Sequence, residues 1–186
     1  MKRVLIFGSN STLAKKTKLF LKKDYLVTSF TKKQINFSKI NSPRQVHKVL
    51  SKVNPDIVIN FAGVLGSNSD NYKKVYDVNF LPNWEIIKFY INSKVNKKVK
   101  IILIGSSSYK SGKANYMLYT SSKAALHNLY QAAKEKFNNT YVSIDIFHPS
   151  RFQSKLIKNL KKKGNFTKVD IIAENLFKKI KWNWVL

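Results

Sequence analysis

The chain has no cysteine. That excludes disulfides, thiolate nucleophiles and cysteine-ligated metals, and it fits a reducing compartment. Histidine is scarce: only His47, His127 and His148 are present, in no metal-ligand spacing, so no metal site is expected. Acids are few, 9 Asp and Glu against 35 Lys and Arg, for a net charge of +26. No apolar run is long enough to span a bilayer. The apolar stretch Val4 to Phe7 is also too short for the core of a signal peptide, and Gly8 ends it. A soluble, cytoplasmic protein with no membrane partner is the expectation.

Arginine is nearly missing as well. Arg3, Arg44 and Arg151 are the only ones, and lysine carries the rest of the positive charge. Base-edge reading and bidentate phosphate grips favour arginine. The lysines are spread along the chain and form no tail, so they read as a solvated surface. Nucleic acid is therefore disfavoured as a partner, although phosphate-bearing small molecules would be attracted.

What is present is a globular composition. The 186 residues are 44% hydrophobic and 13% aromatic, enough for one domain spanning 1–186 with a substantial core. Short apolar runs alternate with helical patterns. Strands are expected at 3–7, 25–30, 56–61, 100–104 and 141–147, with a short last one at 184–186. Helices are expected at 11–23, 42–53, 70–93 with a bend at Pro82, 116–137, 152–163 and 168–180. This alternation predicts an α/β fold, a Rossmann-type doubly wound parallel β-sheet with helices on both faces. Ligands of such sheets bind at the carboxyl ends of the strands, near the switch in strand order.

That rule selects the residues to examine. The first strand runs into Gly8-Ser9-Asn10-Ser11-Thr12-Leu13-Ala14. A glycine permits the tight turn, and the helix that follows points its amino terminus at a phosphate. Thr12 and Ala14 stand where two further glycines would complete the usual fingerprint. The third strand ends in Asn60-Phe61-Ala62-Gly63, whose small residues let a cofactor approach the backbone. The fourth ends in Gly105-Ser106-Ser107-Ser108, followed by Tyr119-x-x-x-Lys123 at the start of a helix. Tyrosine and lysine at that spacing share one helix face. An ammonium beside a phenol favours the phenolate, and a serine hydroxyl can hold a substrate oxygen. The set suits proton transfer coupled to hydride transfer at a carbonyl.

Together with Val78-Asn79 and His148-Pro149-Ser150, these motifs resemble the short-chain dehydrogenase/reductase family from Arg3 to about Ser154. The resemblance implies that Tyr119 is the acid-base residue and that Lys123 binds the nicotinamide ribose and biases Tyr119. It implies that Asn79 keeps a water linking Lys123 to solvent, and that Ser106 or Ser107 binds the reacting oxygen. Ser106 has the usual spacing to the tyrosine and is favoured; Ser107 is the second serine of the pair. It also puts Asn36, Asn60, Ala62 and Gly63 beside the adenosine, and Pro149 and Ser150 beside the nicotinamide. The stretch Val53 to Asn60 is similar to the extended branch that modifies sugar nucleotides.

After the second strand, Thr31-Lys32-Lys33 offers cations where an acid would bind the ribose hydroxyls of NAD(H), so NADP(H) is favoured over NAD(H). The expected function is an NAD(P)(H)-dependent oxidoreductase acting on a small-molecule carbonyl or alcohol, with a sugar or sugar nucleotide as one option. By resemblance, helices 70–93 and 116–137 would make a homo-oligomer. Two other functions stay open. The short stretch after Pro149 would suit a dinucleotide-binding regulator without turnover, and the charge alone would suit a nucleic-acid-binding protein.

Overall fold

A computed structural model describes residues 1–39, 41–66, 71–157 and 165–182. The elements are β1 (Lys2–Phe7), α1 (Thr12–Leu21), β2 (Tyr25–Phe30), α2 (Ser42–Val53) and β3 (Ile57–Asn60), then α3 (Tyr72–Asn79), α4 (Leu81–Ile91), β4 (Val99–Ile104), α5 (Met117–Lys136), β5 (Val142–Phe147) and α6 (Val169–Trp182). All strands pair in parallel, in the order β2-β1-β3-β4-β5. This is the doubly wound Rossmann-type sheet that the alternation predicts.

The strands are apolar throughout because both faces of the sheet are covered. Side chains alternate between the faces. Leu5, Phe7, Val58, Ile101 and Leu103 point to one side and pack with Val46 and Leu50 of α2, Ile86 and Ile87 of α4, and Leu126 of α5. Val4, Ile6, Ile57, Ile59 and Ile102 point to the other and meet Leu13 and Leu21 of α1 and Ile172, Leu176 and Ile180 of α6. On that second side Phe177 stacks on Phe20, and the ion pairs Lys16–Asp170 and Lys181–Asp24 tie α6 to α1 and its exit turn. Lys100 is the exception within β4. It is 1% exposed, donates to the Lys179 carbonyl at 2.8 Å, and faces Asp145, which also pairs with Lys179.

Two expectations need correction. The segment 70–93 is two helices, not one bent at Pro82. The break falls at Phe80 (φ −116°, ψ −59°), and Pro82 lies in the first turn of α4, where its missing N–H has no intrahelical partner to lose. Of 152–163, only Lys155–Ile157 is helical among the described residues, as a single 3-10 turn. Residues 158–163 of that expected helix lie outside the described residues. The expected strand at 184–186 lies outside the described residues. Strand β3 is also shorter than expected, because the chain turns away at Phe61.

The switch in strand order lies at β1, flanked by β2 and β3. Gly8 leaves β1 with φ +70°, and a Cβ there would collide with the main chain of Phe61 and Ala62. The loops after β1 and β3 thus touch at the carboxyl edge of the sheet, where a crevice opens.

Candidate active site

The crevice is a cavity of about 850 Å³. At one end is the turn after β1. Ser11 caps α1 by accepting the Ala14 N–H, and its own N–H bonds the Gly8 carbonyl. Gly8, Asn10, Ser11, Thr12 and Leu13 line the cavity. Ser9 does not: it is buried, with its N–H on the Phe30 carbonyl. Lys32 and Asn36 line the adjacent wall. Thr31 does not, since its N–H and hydroxyl are both bonded to Gln34 Oε1.

Ala62 and Gly63 form part of the cavity wall, and Asn60 lies buried beneath them. Its Oδ1 accepts the Ala62 N–H at 3.0 Å, which holds the turn in place.

Ser106, Ser107, Tyr119, Lys123, Pro149 and Ser150 line the far end. The Ser106 side chain lies near the Tyr119 phenol and favours its charged form, while Ser106 Oγ accepts the Ser108 N–H at 3.2 Å. Ser107 is exposed and starts a 3-10 turn. Lys123 is one helical turn beyond Tyr119. Its Nζ lies 5.9 Å from the Tyr119 ring centre and donates to the Ile104 carbonyl at 2.9 Å. Burial pushes this ammonium down to about 8 and pushes the Tyr119 phenol up. The phenolate is therefore not favoured here: desolvation by burial outweighs the opposing influence of the Ser106 side chain. At neutral pH the phenol keeps its proton.

The family model of the short chain dehydrogenases matches residues 2–165. The chain belongs to the short-chain dehydrogenase family. It is an oxidoreductase of that type. No curated protein matches in sequence. Solved structures match across nearly the whole fold. A short chain dehydrogenase from Burkholderia cenocepacia J2315, in complex with NADP, has TM-score 0.84 and 13% identity, over 97% of this chain and 84% of that one. A 4-hydroxyisoleucine dehydrogenase complexed with NADH has TM-score 0.80 and 24% identity, over 97% and 91%. The 3-alpha-hydroxysteroid dehydrogenase from Pseudomonas sp. B-0831, complexed with NADH, has TM-score 0.81 and 15% identity, over 95% and 88%.

In this short-chain dehydrogenase Asn79 is fully buried, and its side chain is spoken for. Its Oδ1 accepts the Val64 N–H at 2.9 Å, and its Nδ2 donates to the Val64 carbonyl and to Ser122 Oγ, each at 3.0 Å. These bonds go to Val64 and Ser122 and not to Lys123. Two residues that the motifs miss complete this network. Asn83 bridges Asn60 Nδ2 and the Asn79 carbonyl. Ser122 donates to the Tyr119 carbonyl at 2.7 Å, which ties the start of α5 to the loop after β3. Asn79 and Asn83 sit four apart, the helical spacing that could have flagged the pair. Phe152, Ser154, Leu156 and Ile157 also line the far end and had no motif to mark them.

Among the described residues no helix is long and apolar enough to cross a membrane, and no group of three or more His, Asp or Glu could hold a metal ion.

Proposed function

We propose that the chain is an NADP(H)-dependent reductase that converts a small carbonyl compound to an alcohol. One observation carries the reading. A protonated phenol at Tyr119, beside the Ser106 side chain and with Lys123 on the same helix face, stands at one end of a cavity whose other end is the turn into α1.

A dinucleotide fits the residues present. The cavity has a helix amino terminus with small polar residues at one end, and cations but no carboxylates among the described residues that line it. The turn from Gly8 to Leu13 would hold the phosphates. Lys32 and Asn36, with Ala62 and Gly63 across from them, would take the adenosine half, and Lys32 the 2′-phosphate that distinguishes NADP(H). Lys123, Pro149 and Ser150 would take the nicotinamide half. A nicotinamide bound there supplies the hydride. Ser106 holds the carbonyl oxygen of the substrate, in preference to the exposed Ser107. Tyr119 donates its proton to that oxygen as negative charge develops on it. Lys123 lowers the cost of the phenolate left behind. Asn79 fixes the Val64 loop and, through Ser122, the backbone of Tyr119. A sugar or sugar nucleotide is the narrower substrate class.

The face of α3, α4 and α5 that displays Tyr72, Trp84 and Met117 is proposed as the homo-oligomer contact. The test of the function is fluorescence titration with NADPH and NADH, followed by a screen of aldehydes, ketones and sugars. NADPH binding in the micromolar range, weakened by Lys32→Ala, is expected. Tyr119→Phe should leave binding intact and remove turnover. Failure of both nucleotides to bind would overturn the proposal.

A further inference from the structure

Two of the three histidines meet beside the end of β4. His148 Nδ1 lies 3.1 Å from the main-chain nitrogen of Ser106 and 3.0 Å from its carbonyl oxygen. His148 Nε2 lies 3.2 Å from His127 Nδ1. The ring of Tyr109 stacks on both imidazoles, with centres 4.0 Å from His127 and 4.2 Å from His148. Gly105 makes the approach possible, because a Cβ there would come within 2.6 Å of His148 Cε1. None of these side chains has a part in the reaction sequence above.

The geometry constrains the protons. A neutral His148 carrying its proton on Nε2 accepts the Ser106 N–H at Nδ1 and donates to His127 Nδ1. His127 then carries its own proton on Nε2, and every nitrogen from the Ser106 N–H to His127 Nδ1 is satisfied. A proton on His148 Nδ1 places two donors face to face at Ser106 and leaves only the carbonyl as a partner. The contact with Ser106 then passes from its N–H to its carbonyl, and the main chain that aims the hydroxyl shifts toward that second bond. The groups that act on His148 from the surrounding elements are His127 and Lys123 on α5, Lys110 and Tyr109 on the 3-10 turn, and the backbone of Ser106. Those that carry charge are all cationic. Burial first, against the Ser106 main-chain hydrogen bond that raises it, and then His127, Lys123 and Lys110 hold the ring below its ordinary 6.5.

We infer that His148 is a positioning residue: its neutral ring, set by His127, anchors the backbone N–H of Ser106 so that the hydroxyl faces Tyr119, and releases that N–H in favour of the carbonyl on protonation. The inference rests on the role proposed for Ser106.

The test pairs two readouts on the full chain. One is an NMR pH titration that follows the His148 ring and the Ser106 amide. The other is the pH profile of NADPH-dependent turnover, using the best carbonyl from the screen. His148→Asn keeps an acceptor where Nδ1 was and removes the titrating proton. His148→Phe keeps the bulk and removes the acceptor. The Ser106 amide should titrate with the His148 ring, at a midpoint below 6.5. Wild-type kcat should fall on the acid side at that midpoint. His148→Asn should lose this acid limb and keep kcat within about threefold near neutral pH. His148→Phe should lower kcat roughly tenfold, the equivalent of one neutral hydrogen bond, without raising KM for NADPH. A Ser106 amide indifferent to the His148 titration would overturn the inference, and so would an unchanged acid limb in His148→Asn. If no carbonyl is turned over, the reductase reading fails by itself, and the amide titration still upholds or refutes the His148 anchor.

Discussion

Replacing Lys123 with methionine should stabilise the protein while abolishing turnover. Lys123 is 4% exposed, and burial lowers its ammonium from 10.5 to about 8. At about 1.4 kcal/mol for each pH unit, keeping that charge inside costs the fold about 3 kcal/mol. The cost is fully present below the folded value, where the amine is charged in both folded and unfolded states. Methionine fills similar volume and removes it. The Ile104 carbonyl then loses its donor, a loss of about 1 kcal/mol. The net gain at about pH 7 is on the order of 2 kcal/mol. The sign with pH follows from linkage. Between about 8 and 10.5 the unfolded lysine binds more protons than the folded one, so wild-type stability rises with pH while the variant's does not. The advantage of Lys123→Met should therefore shrink above about pH 8 and vanish or reverse by about pH 10. Urea unfolding followed by circular dichroism, at neutral and at alkaline pH, measures both numbers. A variant less stable at neutral pH, or a difference that does not change with pH, refutes the reasoning.

Asn83→Ala should cost about 2 kcal/mol, because it orphans Asn60 Nδ2 and the Asn79 carbonyl, both buried; urea unfolding checks this, and KM for NADPH should rise as the Ala62–Val64 loop loosens. Asp145→Asn should cost about 3 kcal/mol, since it leaves the buried Lys100 facing no carboxylate; thermal unfolding reads the loss. Gly8→Ala should be worse than an ordinary surface substitution, because it combines a positive φ with a collision against Phe61 and Ala62; loss of NADPH binding together with a lower Tm is the expected result.

Much of the fold was legible because its strands are unbroken apolar runs. Val4 to Phe7, Ile57 to Ile59 and Ile101 to Leu103 are buried on both faces, so no polar residue blurs the pattern. The break at Phe80 was not legible: Pro82 announces a discontinuity, but a proline in a first turn marks where a helix begins, two residues after the one before it ends. Tyr119 and Lys123 were legible because both lie on one turn of α5. The direction in which the phenol titrates was not, since it depends on how much water the fold excludes, and spacing carries no record of that. The contacts of His148 with Ser106 and His127 escaped for another reason. Their partners are separated by 42 and 21 positions, and only the pairing of β4 with β5 brings them together.

The position of α6 has a consequence for how the molecule is made. Its Ile172, Leu176 and Ile180 cover Val4, Ile6 and Ile57, which leave the ribosome far earlier. Until α6 emerges, α1 is the one helix among the described residues that covers this side of the sheet. The nascent chain must therefore carry an open apolar surface from the time β5 joins the sheet until α6 docks.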